Sequence, residues 1–190
     1  MIILLLNQTV HNNKKRDVTI KIEYLFKIIL VGSETANKTA LIKRYAEPIF
    51  RETYSHKLAV DFATKVVNIG DQIVKLVIFD IGGRELLKSL HPYYYRGANG
   101  AIVCYNITSK ASFEALDGWV NEIYHHVDEI PIILVGIIPD DIYQRVVPRK
   151  QAEAYAQKKD LPYIEVSAKM EAGVNEMFST LVHIMMEAPS

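Results

Sequence analysis

Residues 32–39, with the sequence GSETANKT, combine residue types that can bind phosphate. A phosphate-binding loop reads Gly, four residues of any type, and then Gly-Lys-Ser/Thr; here Lys38 and Thr39 fit, and Asn37 replaces the second glycine. Such a loop binds an anion because consecutive backbone N–H groups converge at the start of a helix, where the helix dipole is positive. The segment therefore predicts a phosphate site with one altered position.

Two other polar segments also follow strand-like runs. One is DIGG, which begins at Asp80, and the other is SAK at residues 167–169. In an α/β protein the carboxyl ends of the parallel strands meet at one edge of the sheet, and ligands bind there. We therefore expect both segments to lie near the phosphate loop.

The elements that would position these groups alternate between strand and helix patterns. The runs IEYLFKIILVG, GAIVCYNIT and IPIILVGI are almost wholly apolar, as in strands of a parallel sheet that is covered on both faces. Two β-branched runs are joined by Gly70-Asp71, which indicates a hairpin. Residue patterns typical of helices follow the phosphate loop and recur at residues 112–127, 148–159 and 174–186. The alternation predicts an α/β open sheet.

Composition limits the classes of protein that need to be considered. The 190 residues are 49% hydrophobic, enough for one substantial core, and the 22 basic residues balance the 22 acidic ones. This balance gives no indication of a nucleic-acid partner. The single cysteine, Cys104, lies in an apolar run, so neither a disulfide framework nor a thiolate metal site is predicted.

The order and spacing of GSETANKT, DIGG and EVSAK, together with YYYRGANGAIVCYNIT, resemble the Ras-superfamily small GTPases, and most closely the Rab branch. The resemblance implies a P-loop small-GTPase fold with a six-stranded, mostly parallel sheet, one antiparallel hairpin strand and about five helices. It covers residues 24–187, which we expect to form the domain. Residues 1–23 are predicted to be a flexible extension, although a misassigned start or a weak membrane contact through MIILLL is an alternative.

The resemblance also implies a ligand, GTP or GDP with Mg²⁺, and a role for each matching residue. Lys38 would contact the β- and γ-phosphates, Thr39 would ligate Mg²⁺, and Asp80 would hold the water shell of the ion. The implied nucleotide-binding residues are Gly32, Ser33, Glu34, Thr35, Ala36, Asn37, Lys38, Thr39, Ala40, Gly83, Asp140, Ser167, Ala168 and Lys169.

Two residues of the phosphate loop depart from the family pattern. Asn37 is among the better non-glycine residues for a left-handed backbone, so it could keep the turn while crowding the phosphate. Glu34 stands where a small residue is expected beside the γ-phosphate. Like charges about 4 Å apart repel by roughly 1 kcal/mol in water and about 4 kcal/mol at intermediate dielectric, which favours a diphosphate. Alternatively, the Glu34 side chain turns to solvent and contributes little.

Both switch segments depart from the pattern as well. Lys57 takes the place of the threonine that ligates Mg²⁺, and an ammonium has no acceptor, although it could contact a phosphate as a point charge. Arg84 takes the place of the glutamine that orients the attacking water, so we expect little hydrolysis. Alternatively, Arg84 has a catalytic role within its own chain as a charge-stabilising arginine.

The base-recognition pattern, Asn-Lys-x-Asp, reads Ile137, Ile138, Pro139 and Asp140 in this chain. In the family the Asn braces the loops, the Lys covers the base and the Asp accepts two guanine donors. Asp140 is retained, Ile138 could cover the base, and Ala168 offers a backbone N–H. We predict a weakened preference for guanine, because lost polar contacts lower discrimination strongly.

The resemblance further implies effector or regulator proteins that bind the switch regions. Phe62, Phe79 and Tyr94 match the aromatic triad that Rab proteins present to effectors; alternatively, these rings only pack the hairpin against the switch. Residues 188–190 end the chain without the prenylated cysteines of Rab-like proteins, so we expect no lipid anchor. We expect a cytoplasmic monomer that would be peripheral to membranes through a partner or through the N-terminal MIILLL.

Two functions remain open at this point. One is a Rab-like switch or effector-binding module in vesicle traffic, with weakened guanine-nucleotide binding and very slow or absent hydrolysis. The other is a pseudo-GTPase scaffold that holds GDP permanently or binds no nucleotide. An enzyme that uses ATP has no specific feature in its favour.

Overall fold

The computed structural model of this chain describes residues 7–10, 18–46, 60–81, 91–140 and 144–188. Strands and helices alternate along them. The strands are β1 Asn7–Val10, β2 Val18–Lys21, β3 Tyr24–Gly32, β4 Val60–Ile69, β5 Gln72–Ile81, β6 Gly100–Asn106, β7 Ile132–Ile137 and β8 Tyr163–Val166. The α-helices are α1 Lys38–Ala46, α2 His91–Tyr95, α3 Lys110–Glu114, α4 Leu116–His126, α5 Arg149–Lys158 and α6 Val174–Glu187, and a short 3-10 helix spans Glu34–Ala36.

Six of the strands form one sheet in the order β4-β5-β3-β6-β7-β8. All neighbours are parallel except β4 and β5, which pair antiparallel across the two-residue turn at Gly70 and Asp71. This confirms the predicted six-stranded sheet and its hairpin. The chain continues outward from β3 in both directions, so the loop after β3 lies at the point where the strand order reverses, where α/β sheets bind ligands.

Helices cover both faces of the sheet, which explains why β7 is apolar throughout and why β6 is apolar up to its last residue, Asn106. On one face α1 and α6 contribute Leu41 and Phe178 to a buried cluster. On the other face α4 and α5 contribute Leu116, Ile123 and Ala152. A strand with side chains buried on both sides needs apolar residues at every position, and this is the pattern that the sequence shows.

The helix that was predicted at residues 112–127 is interrupted in the structure. Ser109 caps the short helix α3 through its Oγ, which accepts from the N–H of Ser112 at 3.2 Å, and α4 begins after Ala115. The apolar positions Leu116, Val120 and Ile123 are buried as the spacing indicated. The helices predicted at 148–159 and 174–186 are found as α5 and α6.

The N-terminal segment contains a pairing that the sequence did not predict. β1 and β2 form a separate two-stranded antiparallel sheet, with Asn7 opposite Lys21. The flexibility of residues 1–23 and the domain limits at 24 and 187 stay predictions, and MIILLL and residues 189–190 lie outside the described residues. Among the described helices, none has the length and apolar content to cross a membrane.

Candidate functional site

The phosphate loop begins at Gly32, where β3 and β6 approach closely. Gly32 has a φ of 140°, and a Cβ at this position would lie 2.2 Å from the carbonyl oxygen of Cys104. Only glycine fits such a close contact between two backbones. The first glycine of the loop is thus required by the pairing of β3 with β6, whatever ligand the loop holds.

The loop closes on itself through a 3-10 turn. The N–H of Ala36 donates to the carbonyl of Ser33 at 3.1 Å, and the N–H of Asn37 donates to that of Glu34 at 3.4 Å. The Ser33 and Thr35 hydroxyls are 2.9 Å apart. Two backbone donors that a bound phosphate would use are therefore engaged with carbonyls of the same loop in this structure.

Asn37 adopts the left-handed conformation that its residue type suggested. Its φ is 51° and its ψ is 43°, and α1 begins at the next residue. Asparagine is enriched in this region of backbone space, so the exchange of the second glycine costs little in the fold. The backbone turn of a phosphate loop is retained.

The Lys38 side chain is bonded to the first two residues of the loop. Its side chain is 4% exposed, and its Nζ donates to the carbonyl oxygens of Gly32 at 2.8 Å and Ser33 at 3.0 Å. A buried ammonium is stable only with hydrogen-bond partners, and the two carbonyls provide them. The positive charge is thereby held at the centre of the loop.

Thr39 and Asp80 meet beside this lysine, although they are 41 residues apart in sequence. The Thr39 hydroxyl donates to Oδ2 of Asp80, which is 7% exposed at the end of β5. A hydroxyl and a carboxylate are oxygen ligands of the kind that Mg²⁺ takes when phosphates and waters complete its shell. With only two protein oxygens, the pair suits a metal whose other ligands are phosphate and water. Within the described residues there is no group of three or more His, Cys, Asp or Glu that could hold a metal ion.

The base-recognition end is built differently. Ile137 ends β7 with 4% of its surface exposed, in the same apolar cluster as Ala36 and Ala168. Ile138 is half-buried, and its N–H donates to the carbonyl of Val166 at 2.8 Å. Asp140 is exposed. Of the four residues at this end, only Asp140 brings a side-chain acceptor.

The SAK segment is tied to helix α1 by a residue that the sequence analysis did not assign to the site. Arg44 donates from Nε to the carbonyl of Ala168 at 2.5 Å and from Nη2 to that of Lys169 at 3.3 Å, and it pairs with Glu171. Ser167 is buried, and its Oγ accepts from the N–H of Met170 at 3.2 Å. These bonds fix the backbone that would present the Ala168 N–H.

An ion pair holds the chain that follows the base-recognition segment, and it too was not predicted. Arg145 donates twice to Glu165, at 2.7 and 2.9 Å, and the guanidinium keeps the pKa of that carboxyl below its ordinary value. The Tyr163 hydroxyl donates to Glu165 at 2.7 Å and lies 2.8 Å from the Tyr105 hydroxyl. Burial raises the pKa of Tyr105 to about 12.

The three aromatic residues of the expected effector surface are not equivalent. Phe62 is 67% exposed, whereas Phe79 and Tyr94 are half-buried against the core face that α4 and α5 cover. The Phe62 and Phe79 rings lie 6.0 Å apart, and Lys27 Nζ is 4.8 Å from the centre of the Phe79 ring. Packing accounts for Phe79 and Tyr94, while Phe62 presents most of its surface to solvent.

Three expected site residues, Lys57, Gly83 and Arg84, lie outside the described residues. Comparison with known proteins addresses the family as a whole. The model of the Ras family matches residues 27–187. The chain belongs to the Ras family.

Several Rab proteins are similar to this Ras-family protein over most of its length. Ras-related protein Rab-21 of Bos taurus is 38% identical over 165 residues, which are 86% of this chain and 74% of the relative. Ras-related protein Rab-1A of Dictyostelium discoideum is 34% identical over 159 residues, 83% of this chain and 79% of the relative. Ras-related protein RABA4a of Arabidopsis thaliana is 35% identical over 167 residues, 87% and 74% of the two chains. The predicted resemblance to the Rab branch is confirmed.

Proposed function

We propose that this Rab-like protein binds a guanine nucleotide with Mg²⁺ more weakly than the intact family pattern implies and hydrolyses GTP very slowly or not at all. It would act as a monomeric switch or effector-binding module in vesicle traffic, on the cytoplasmic side of membranes through a partner. The observation that carries the proposal is the buried Lys38 ammonium, held over the loop beside the bonded pair of Thr39 and Asp80.

The phosphate end supplies the binding energy in this proposal. Lys38 would attract the β- and γ-phosphates, and the start of α1 would add backbone N–H groups and the helix dipole. Thr39 and Asp80 would hold Mg²⁺, which neutralises phosphate charge when it is bound. The Glu34 side chain is exposed at the loop surface, so solvent screens its charge and the repulsion of a γ-phosphate is weak, as in the alternative in which this side chain contributes little.

Weak hydrolysis follows from residue chemistry. A residue that orients the attacking water as the family glutamine does must accept a hydrogen bond from it, and the guanidinium of Arg84 has donors only. Lys57 likewise lacks an acceptor for Mg²⁺. Residue 84 thus offers no acceptor for the water, and residue 57 offers no ligand for Mg²⁺. The chain would keep phosphate binding and lack these two groups that hydrolysis uses.

The effector surface would centre on Phe62 in strand β4. An exposed aromatic ring next to a second aromatic is typical of a protein contact, because it offers a large apolar area at little entropic cost. Its partner would be an effector or regulator protein that covers the ring.

One observation favours the alternative, a pseudo-GTPase scaffold. The N–H groups of Ala36 and Asn37 donate to carbonyls within the 3-10 turn of their own loop, so a phosphate must replace those two bonds before it can bind through them. If that turn persists, the fold serves protein–protein contacts alone.

The deciding experiment is to purify the full chain, denature it and identify any released nucleotide by chromatography. GDP or GTP near one equivalent, absent from a Lys38→Ala protein that is purified in the same way, would support the proposal. If the protein releases no nucleotide and takes up neither GDP nor GTP in excess Mg²⁺, only the pseudo-GTPase scaffold remains as an explanation. Released ADP or ATP would contradict guanine specificity.

A further inference from the structure

Asn106, the last residue of β6, holds the phosphate loop from a neighbouring strand. Its Nδ2 donates to the carbonyl oxygen of Thr35 at 2.9 Å. Its Oδ1 accepts from the backbone N–H of Thr108 at 2.9 Å and from the Thr108 hydroxyl at 2.8 Å. Because one end of the amide donates and the other accepts, an aspartate of the same shape would not serve.

The backbone of Asn106 is fixed as well. Its N–H donates to Oγ of Ser112 at 3.0 Å, and that hydroxyl donates to the carbonyl of Ser109 at 2.8 Å. Ser112 is 2% exposed. A side chain whose own backbone is anchored in this way can transmit a fixed position to the loop that it bonds.

Residue 137, where the family pattern has an asparagine that braces the loops, lies beside Asn106. Ile137 is the partner of Asn106 in the β6–β7 register, so the two side chains project from the same face of the sheet. An isoleucine has no hydrogen-bonding group, and Ile137 is instead packed in the apolar cluster with Ala36. The polar side chain that bonds the phosphate loop therefore lies on β6 in this chain, whereas the family pattern places it at residue 137, the end of β7.

We propose that Asn106 is a positioning residue that takes over, from strand β6, the bracing of the phosphate loop that the family pattern places at residue 137. The bond fixes the carbonyl of Thr35, and with it the direction in which the following N–H groups point. Its effect on nucleotide affinity rests on the proposed function, but its effect on the loop does not.

The first test measures the loop without any nucleotide. Asn106→Asp keeps the acceptor for Thr108, removes the donor and places a carboxylate against the Thr35 carbonyl. Backbone hydrogen exchange at Ala36 and Asn37 should become faster by about threefold to tenfold, the range that one hydrogen bond of ordinary net strength supports. Exchange that stays unchanged would overturn the inference.

A matched control is available at Asn99. Its Oδ1 accepts from the N–H of Lys27 at 2.8 Å, so Asn99→Asp adds the same charge while keeping a required acceptor. Loop exchange should not change in this variant; an equal acceleration in both variants would mean that charge alone acts, which contradicts the inference. If Asn106→Asp does not fold, Asn106→Ala removes the bond without adding charge, and the same expected and contradicting results apply.

The second test is a rescue that a merely structural role would not produce. In Asn106→Asp the dissociation constant of fluorescently labelled GDP with Mg²⁺ should rise about threefold to tenfold. Adding Ile137→Asn should restore it, whereas Ile137→Asn alone should bring no gain. If the natural chain binds no GDP, the proposed function fails while hydrogen exchange still decides the brace. If GDP binds but Asn106→Asp changes neither exchange nor affinity, only the brace is wrong.

Discussion

The two ends of the candidate site show how differently a backbone-built and a side-chain-built site respond to substitution. At the phosphate end, the loop after β3 keeps a left-handed turn with Asn37 in place of glycine, and Lys38 and Thr39 stay in position. At the base end, Ile137 and Ile138 remove the expected polar side chains outright. A loop that binds through N–H groups tolerates a changed side chain, whereas recognition by side chains is lost with them.

The largest effect is expected from removing the ammonium at the phosphate end. Lys38→Ala should raise the dissociation constant of GDP by about a hundredfold or more, because charge-assisted hydrogen bonds to phosphate are each worth about 1.5–3 kcal/mol. Titration with fluorescently labelled GDP in Mg²⁺ measures this. Lys150→Ala, at an exposed position in α5, is the control and should bind like the natural chain. A Lys38→Ala protein with unchanged affinity would show that the phosphate end does not carry binding.

The ion pair beside the base end should matter for stability. Glu165→Gln removes the carboxylate that accepts two hydrogen bonds from Arg145, and this change should lower the free energy of unfolding by about 2 kcal/mol at pH 7. Urea denaturation measures the loss, with Glu153→Gln on the exposed face of α5 as the control; its pairing with Arg149 at the surface should contribute well under 1 kcal/mol.

The same variant predicts a pH dependence. The folded pKa of Glu165 lies below its unfolded value, so the ion pair contributes fully above the ordinary glutamate pKa of about 4.3 and is lost as the pH falls through the folded pKa. The difference between Glu165→Gln and the natural chain should therefore shrink in acid. A difference that grows as the pH falls from 5 to 3 would contradict the assignment.

A smaller effect is expected from the acceptor that remains at the base end. Asp140→Ala should weaken GDP binding by about tenfold and leave ADP binding unchanged, because a buried or bound guanine donor without its acceptor costs about 1–3 kcal/mol. Competition of GDP and ADP for the labelled nucleotide measures the ratio. Asp128→Ala, which removes an exposed carboxylate after α4, is the control. Equal losses for both bases would mean that Asp140 does not read guanine.

The smallest effect should come from restoring the family glycine. Asn37→Gly should change GDP affinity by no more than about threefold, since Asn37 already holds the left-handed turn at a φ of 51°. The measured affinity, set beside that of Asn37→Ala, separates backbone strain from crowding. A gain of tenfold or more in Asn37→Gly would show that the Asn37 side chain obstructs the phosphate. The phosphate end would then have lost affinity by substitution, as the base end has.

Sequence patterns predicted the strands that are buried on both faces, because such strands need apolar residues at nearly every position. β7, and β6 up to Tyr105, are apolar because helices cover both faces, and the Gly70-Asp71 turn defined the hairpin. The break at Ala115 was not predicted, because the apolar spacing continues from α3 into α4. The pairing of β1 with β2 was also missed, since two four-residue strands carry too little periodicity to be recognised.

By itself, the sequence determined the α/β class, the family and the phosphate loop, because these depend on local patterns and on motifs that lie in order along the chain. Only the tertiary structure decided which distant groups hold that loop and its neighbours. Asn106 bonds Thr35 across 71 residues, Arg44 bonds Ala168 across 124, and Arg145 pairs with Glu165 across 20. Such bonds depend on which strands become neighbours, and no local propensity encodes that choice.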